Sequence, residues 1–404
     1  MLLKNIFHSG RRTIAKFWLR FFPDITIIGV TGSYGKTSTV RAITAVLSQK
    51  YKVLTTDINL DTLYNLPITL LKLRPGYQKL VLEYGVDHKN EMDYHLSLVK
   101  PQIAVLTGIN PTHSDEELLG SLEGIIKEKT KLLDALPERG LVILNYDDVK
   151  VREIGEGLKN KKIFYSIKTP TDFWADEIEV SFEGTSFTLR HPEGKIKMKT
   201  GLIGVHFVQD ALAAIIIGRE QGLTWEEVEK GISTLKPLSG RVSIEKGPME
   251  TILINDSLRA NPASTLAGLR LLSELPTQGR KIATLGEMGE LGSKANESHL
   301  AIGKEVANLK IDYLVAIGPL MKLAADEAIK NGMDKQKVYW VNNVQEAADI
   351  LRQILKKGDL FYLKGSLLKH LERVRLLLDD QKVNCTVISC HRYNPCPSCP
   401  SLNK

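Results

Sequence analysis

No cysteine occurs before Cys385, so the body of this 404-residue chain cannot be cross-linked by disulfides. That absence agrees with a reducing compartment. No apolar run approaches the roughly 18 to 20 residues that a membrane-spanning helix needs, and the opening residues lack the pattern of a secretory leader. A cytoplasmic protein is expected. A dominant charge is missing too: 54 Lys plus Arg against 47 Asp plus Glu leave +7, too small an excess to imply nucleic acid. An acidic or phosphorylated small substrate suits such a balance equally well. With 43% hydrophobic and 25% charged residues the composition excludes a disordered or fibrous chain. At about 150 residues per domain, two or three folded domains are expected.

Four segments follow from the pattern along the chain. Residues 1–24 interleave Lys4, Arg11, Arg12, Lys16 and Arg20 with Ile14, Phe17, Trp18, Leu19, Phe21 and Phe22. This predicts a basic amphipathic helix, which either rests on an anionic membrane surface at the inner face or packs on the domain that follows. Over 25–238, short apolar runs (ITIIGV, KVLTT, KLVLEYG, IAVLTGI) alternate with helix-period stretches such as STVRAITAVLSQK, the signature of an α/β domain with a mostly parallel sheet. Period-two alternation between about 176 and 198 predicts an antiparallel excursion. KPLSGRVSIEKGP reads as a linker, and a second, Rossmann-like α/β series follows over 239–380 with TILINDS, KIATLGEM, YLVAIG and LFYLKGS as strands. Residues 381–404 form a Cys-rich tail.

The strongest local signal is TGSYGKTST, between a predicted strand and a predicted helix. Gly32, Ser33, Tyr34, Gly35 and Ser38 would turn backbone N–H groups onto a phosphate, with the helix N-terminus behind them. Lys36 would meet the β and γ phosphates of ATP, and the Thr37 hydroxyl would bind Mg²⁺. The general phosphate-loop pattern puts its first glycine where Val30 stands; here the glycine is Gly32, a narrower variant, T-G-x-x-G-K-T.

Glu83 ends the strand KLVLEYG, and His113 follows IAVLTGI in the turn NPTH. In an open parallel sheet the carboxyl ends of strands line the ligand crevice, so both side chains could hold a second Mg²⁺ beside the triphosphate. Taken alone, each would more often be an ordinary strand-end or turn residue.

With these motifs, and with LEYGVD, TGINPTHSD, GIIKEKTKLL, GVHFVQDALAA, LSGR, INDSLRANPAS, LGEMGELG and LKGS in order over roughly 25–370, the chain resembles the Mur ligases. The resemblance implies an ATP-dependent acid–amino-acid ligase of peptidoglycan synthesis, working through an acyl phosphate. Its partners would be a UDP-linked or lipid-linked muropeptide and an amine such as D-alanyl-D-alanine, handled by a monomer. By the same resemblance Lys129, with Lys127 as runner-up, matches a lysine that is carbamylated in several relatives. Arg241 and Asp256 match positions that reach the nucleotide, and Asn261 is a further candidate for closing the site.

Several positions depart from the family pattern. The asparagines of G-x-H-N-x-x-N are Phe207 and Asp210, the residues before ANP are Leu258 and Arg259, and Leu367 replaces an arginine after K-G-S. Only the short basic segment stands where relatives carry a uridine-nucleotide domain. Alternatives therefore stay open: a related ligase or amidase acting on a lipid-linked muropeptide or γ-glutamyl polymer, or a non-catalytic ATP-binding scaffold of cell-wall assembly. In the tail, Cys385, Cys390, Cys396 and Cys399, with His391 among them, give C-x4-C-x5-C-x2-C. Either they bind Zn²⁺ or the tail is mobile and carries no ligand.

Overall fold

The computed structural model describes residues 2–57, 62–111, 114–390 and 396–402, with no account of the side chains of residues 2–7. The chain divides into two compact units, residues 1–179 with 184–236, and residues 237–404 with 180–183.

The first unit is built on a nine-stranded sheet. Its strands are β1 (Thr26–Thr31), β2 (Val53–Thr55), β3 (Lys79–Glu83), β4 (Ile103–Leu106), β5 (Leu141–Asn145), β6 (Lys161–Ser166), β7 (Phe173–Ser181), β8 (Gly184–His191) and β9 (Gly194–Thr200), in the order β2-β3-β1-β4-β5-β6-β7-β8-β9. From β2 to β7 neighbours run parallel, and β8 pairs antiparallel with β9. β1, β3, β4 and β5 are almost wholly buried, which explains their continuous apolar runs. Around the sheet lie α1 (Leu2–Leu19), α2 (Lys36–Leu47), α3 (Thr62–Leu71), α4 (Glu91–Leu98), α5 (Leu122–Asp134), α6 (Val149–Gly157), α7 (His206–Glu220) and α8 (Trp225–Ser233). The expected excursion is present as the β7–β9 region, from Phe173 to Thr200.

The register of the sheet positions the site. β1 lies between β3 and β4, with Val30 opposite Glu83 and Thr31 opposite Leu106. Glu83 therefore emerges beside the loop that β1 feeds into α2.

The second unit holds a six-stranded sheet of β10 (Ser243–Lys246), β11 (Ile252–Asp256), β12 (Lys281–Gly286), β13 (Tyr313–Ile317), β14 (Val338–Val341) and β15 (Leu360–Lys364), ordered β10-β11-β15-β12-β13-β14. All pairs are parallel except β10 with β11. Its helices are α9 (Pro262–Glu274), α10 (Ala295–Asn308), α11 (Met321–Lys330), α12 (Val344–Ile354) and α13 (Glu372–Leu378). The stretch read as a linker is corrected here: its residues Ser243–Lys246 are the antiparallel edge strand β10.

α1 lies along the first unit. Ala15 is fully buried, and Trp18, Leu19 and Phe22 pack on the main apolar cluster. The Trp18 indole N–H donates to the Leu73 carbonyl at 3.1 Å. The opposite stripe, Ile14, Phe17 and Phe21, stays more than half exposed. Among the described residues no helix is long and apolar enough to cross a membrane.

Candidate active site

The loop Gly32–Gly35 closes at the N-terminus of α2. Gly35 is left-handed (φ 76°), and a Cβ on Gly32 would fall 2.1 Å from Thr107 Oγ1, so side chains are excluded where the backbone must curl. Ser33 N–H donates to the Gly108 carbonyl at 2.8 Å, and the Ser33 hydroxyl to the Asn110 carbonyl at 3.2 Å. The Tyr34 ring lies over Gly108, where a Cβ would meet it at 2.0 Å. Its hydroxyl donates to Asp148 Oδ2 at 2.8 Å, and burial with that carboxylate nearby pushes the phenol pKa up. The same carboxylate takes the Ile109 N–H at 2.9 Å and caps α6 through its other oxygen. Asp148 thus ties loop, β4 end and α6 together, a role not foreseen from the sequence.

At the mouth of the loop the Thr37 hydroxyl donates to Glu83 Oε2 at 2.9 Å. Glu83 N–H is itself held by the Thr56 hydroxyl at 3.1 Å. The sequence reading paired Glu83 with His113; His113 lies outside the described residues, and Glu83 meets Thr37. The Lys36 ammonium donates to the Gly32 carbonyl at 2.8 Å, across the same loop. A cavity of about 270 Å³ opens beside the Thr37–Glu83 pair, lined also by Arg41, Thr55 and Asp57. A hydroxyl and a carboxylate oxygen side by side form a hard donor set that suits Mg²⁺.

Lys129 and Lys127 separate clearly on α5: Lys127 is exposed, whereas Lys129 is fully buried with its Nζ lacking any hydrogen-bond partner. Burial first, and the charge of Lys36 second, push the Lys129 ammonium well below its ordinary pKa, against the pull of Asp87, Glu91 and Glu128. Burial thereby favours the neutral, nucleophilic amine over the ammonium. Asp87, His88 and Glu91 form a further group whose ligand atoms lie within 4.8 Å of one another. Two backbone N–H groups, from Asp87 and His88, are held by Glu91 Oε2. Sequence reading passed over this trio because it spans the turn beyond β3 and the first residue of α4 with no motif spacing.

The departures from the family pattern have internal partners. Phe207 is buried, 4.1 Å from the His206 ring. Asp210 is buried and accepts from the Thr39 hydroxyl on α2 at 2.6 Å, and burial raises its carboxyl pKa to about 7.

In the second unit Asp256 is not a free carboxylate. Its Oδ2 accepts from Lys364 Nζ at 2.5 Å and from the Tyr362 hydroxyl at 2.9 Å, and Lys364 also donates to the Arg259 carbonyl. Lys364 belongs to the K-G-S motif, but its pairing with Asp256 was not foreseen. Asn261 caps α9, accepting the Ser264 N–H at 2.9 Å while the Ser264 hydroxyl faces back to it. Arg241 is half-buried, its N–H bonded to the Leu238 carbonyl at 2.9 Å. The four cysteines are unpaired and lie together in the tail; His391 is outside the described residues.

A strand–glycine loop–helix unit with a Thr–Glu pair at its mouth defines a phosphate-loop nucleotide-binding protein. Comparison with known proteins narrows the class. Residues 30–218 match the Mur ligase middle domain, and residues 240–367 match the Mur ligase glutamate ligase domain. The UDP-N-acetylmuramoyl-tripeptide–D-alanyl-D-alanine ligase of Bacillus subtilis is 32% identical over 348 residues, 86% of this chain and 74% of the relative. Its Escherichia coli counterpart is 32% identical over 303 residues, 74% of this chain but 66% of the relative. Among solved structures, MurF from Acinetobacter baumannii superposes with a TM-score of 0.83 at 27% identity, over 93% of this chain and 81% of that one. The chain belongs to the Mur ligase family.

Proposed function

We propose that the chain joins the carboxylate of a UDP-muramoyl-tripeptide to the amine of D-alanyl-D-alanine at the expense of ATP. The names of its bacterial relatives support this substrate pair. The observation that carries the reaction type is the Thr37–Glu83 contact at the mouth of the glycine loop.

The glycine loop and the start of α2 hold the phosphates, and Lys36, released from the Gly32 carbonyl, offers its charge to the γ-phosphate. Mg²⁺ held by Thr37 and Glu83 would supply the remaining positive charge. A substrate carboxylate oxygen bonds to the γ-phosphorus as the bond to the bridging oxygen breaks, and ADP leaves with that electron pair. The amine nitrogen then attacks the acyl-phosphate carbon; phosphate departs with the C–O pair and the nitrogen loses a proton to solvent. Lys129, buried with its Nζ lacking a hydrogen-bond partner and its pKa pushed down, fits carbamylation: the Nζ bonds to the carbon of CO₂ and gives up a proton, placing two oxygen donors where Lys36 is near.

The exposed stripe of Ile14, Phe17 and Phe21, flanked by Arg11, Lys16 and Arg20, supports a peripheral contact with an anionic lipid surface at the cytoplasmic face.

One assay tests the proposal: phosphate release with UDP-muramoyl-tripeptide, with and without D-alanyl-D-alanine, in CO₂-depleted and bicarbonate-supplemented buffer. Release that needs the dipeptide and rises with bicarbonate is expected. Release stimulated by ammonia or glutamate instead would reject the amine, and indifference to bicarbonate would reject the carbamate.

A further inference from the structure

The tail beyond α13 has little to hold it by burial. Among its described residues the one regular element is a single turn, Cys396–Ser398, and only Cys396 and Leu402 are buried, against Leu376; Val387 and Ile388 are about half exposed. Ordering such a segment costs more entropy than two side chains return. It is nevertheless pinned in place. Arg373, 2% exposed, donates to the carbonyls of Cys385 and Val387, and Cys390 N–H reaches the Leu368 carbonyl at 2.8 Å. Cys396 N–H donates to Glu372 Oε1 at 3.0 Å.

All four thiols, unpaired, converge on one small cavity of about 10 Å³, closed by His370, Arg373 and Leu402. At its wall, ligand atoms of Cys396, His370 and Glu372 lie within 4.8 Å of one another. Glu372 is 9% exposed, and its Oε2 is buried with no hydrogen-bond partner. Thiol donors select zinc-like cations over Mg²⁺ or Ca²⁺, and four of them leave no open position for substrate. A divalent ion with four thiolates carries two excess negative charges. The Arg373 guanidinium, its Nη1 3.7 Å from Cys385 Sγ, lies where it offsets part of that excess.

We propose that Cys385, Cys390, Cys396 and Cys399 bind one zinc ion as thiolates, each releasing its proton to solvent, and that this ion fixes the tail on α13. The inference does not rest on the ligase reading.

The test uses the full chain purified under reducing conditions. Metal analysis is expected to find about one zinc per chain, and the Cys396→Ser, Cys399→Ser double variant less than about one-tenth of that. Because the variant could misfold, cobalt is also exchanged into the unaltered protein, where the thiolate charge-transfer absorption should correspond to four sulfurs in a tetrahedral field. Sub-stoichiometric zinc after reconstitution, a cobalt spectrum with fewer sulfurs, or disulfide pairing among these cysteines in the reduced-cell product would overturn the proposal.

Discussion

Asp210 stands where the family pattern has asparagine, and it accepts from the Thr39 hydroxyl at an electrostatic cost. Its carboxyl is raised to about 7 by burial, from about 4 in an unfolded chain. A raised carboxylate pKa means that the folded state keeps a proton the unfolded state has lost. Stability of the first unit therefore falls as pH rises from about 4 to about 7, by at most ~4 kcal/mol from this group. Asp210→Asn retains a side-chain oxygen for the Thr39 hydroxyl and removes the titration. The stability difference between variant and parent, from urea melts, should grow in the variant's favour across that window; a difference independent of pH would refute the assignment. At this scale legibility was uneven. The glycine loop around Lys36 and Thr37 could be read from spacing, and the place of Glu83 beside it from its strand end. Lys129 and Lys127 sit two positions apart on one helix, on nearly opposite faces, so only packing could separate them. The Asp256–Lys364 pair joins β11 to β15 across more than a hundred residues, and nothing local signals it.

Elements with continuous apolar runs, such as β1, β3 and β4, were readable because strands buried on both faces leave that trace. β10 was not, since it is a short edge strand inside a glycine- and proline-bearing stretch, and β14 (Val338–Val341) was missed as four residues beside a lysine-rich turn. α1 was legible as an amphipathic helix; packing on the domain that follows describes one of its faces, and the proposed membrane contact belongs to the other. Ala15, Trp18, Leu19 and Phe22 serve the unit beneath, while Phe17 and Phe21 form an exposed edge-to-face pair at 5.3 Å. Vesicles containing anionic lipid should bind the protein, and Phe17→Ala, Phe21→Ala should weaken binding roughly tenfold or more without lowering the melting temperature. Equal binding of variant and parent in flotation assays, or equal binding to neutral vesicles, would count against the membrane contact.

On the scale of the whole molecule, each unit is built on a mostly parallel sheet and carries its own set of polar side chains. The first holds the glycine loop, Thr37, Glu83 and Lys129; the second holds the buried Asp256–Lys364 pair. The order of two α/β series was legible because hydrophobic periodicity survives in sequence, whereas the pairings that tune each site depend on contacts distant in the chain. The central claim is that the loop binds nucleotide and that Glu83 serves turnover. It is tested by measuring, for Glu83→Ala and Lys36→Ala side by side, ATP affinity and substrate-dependent ADP release. Glu83→Ala should bind ATP within about threefold of the parent while ADP release falls roughly 100-fold or more, and Lys36→Ala should abolish release. Parent-level ADP release by Glu83→Ala would contradict the account.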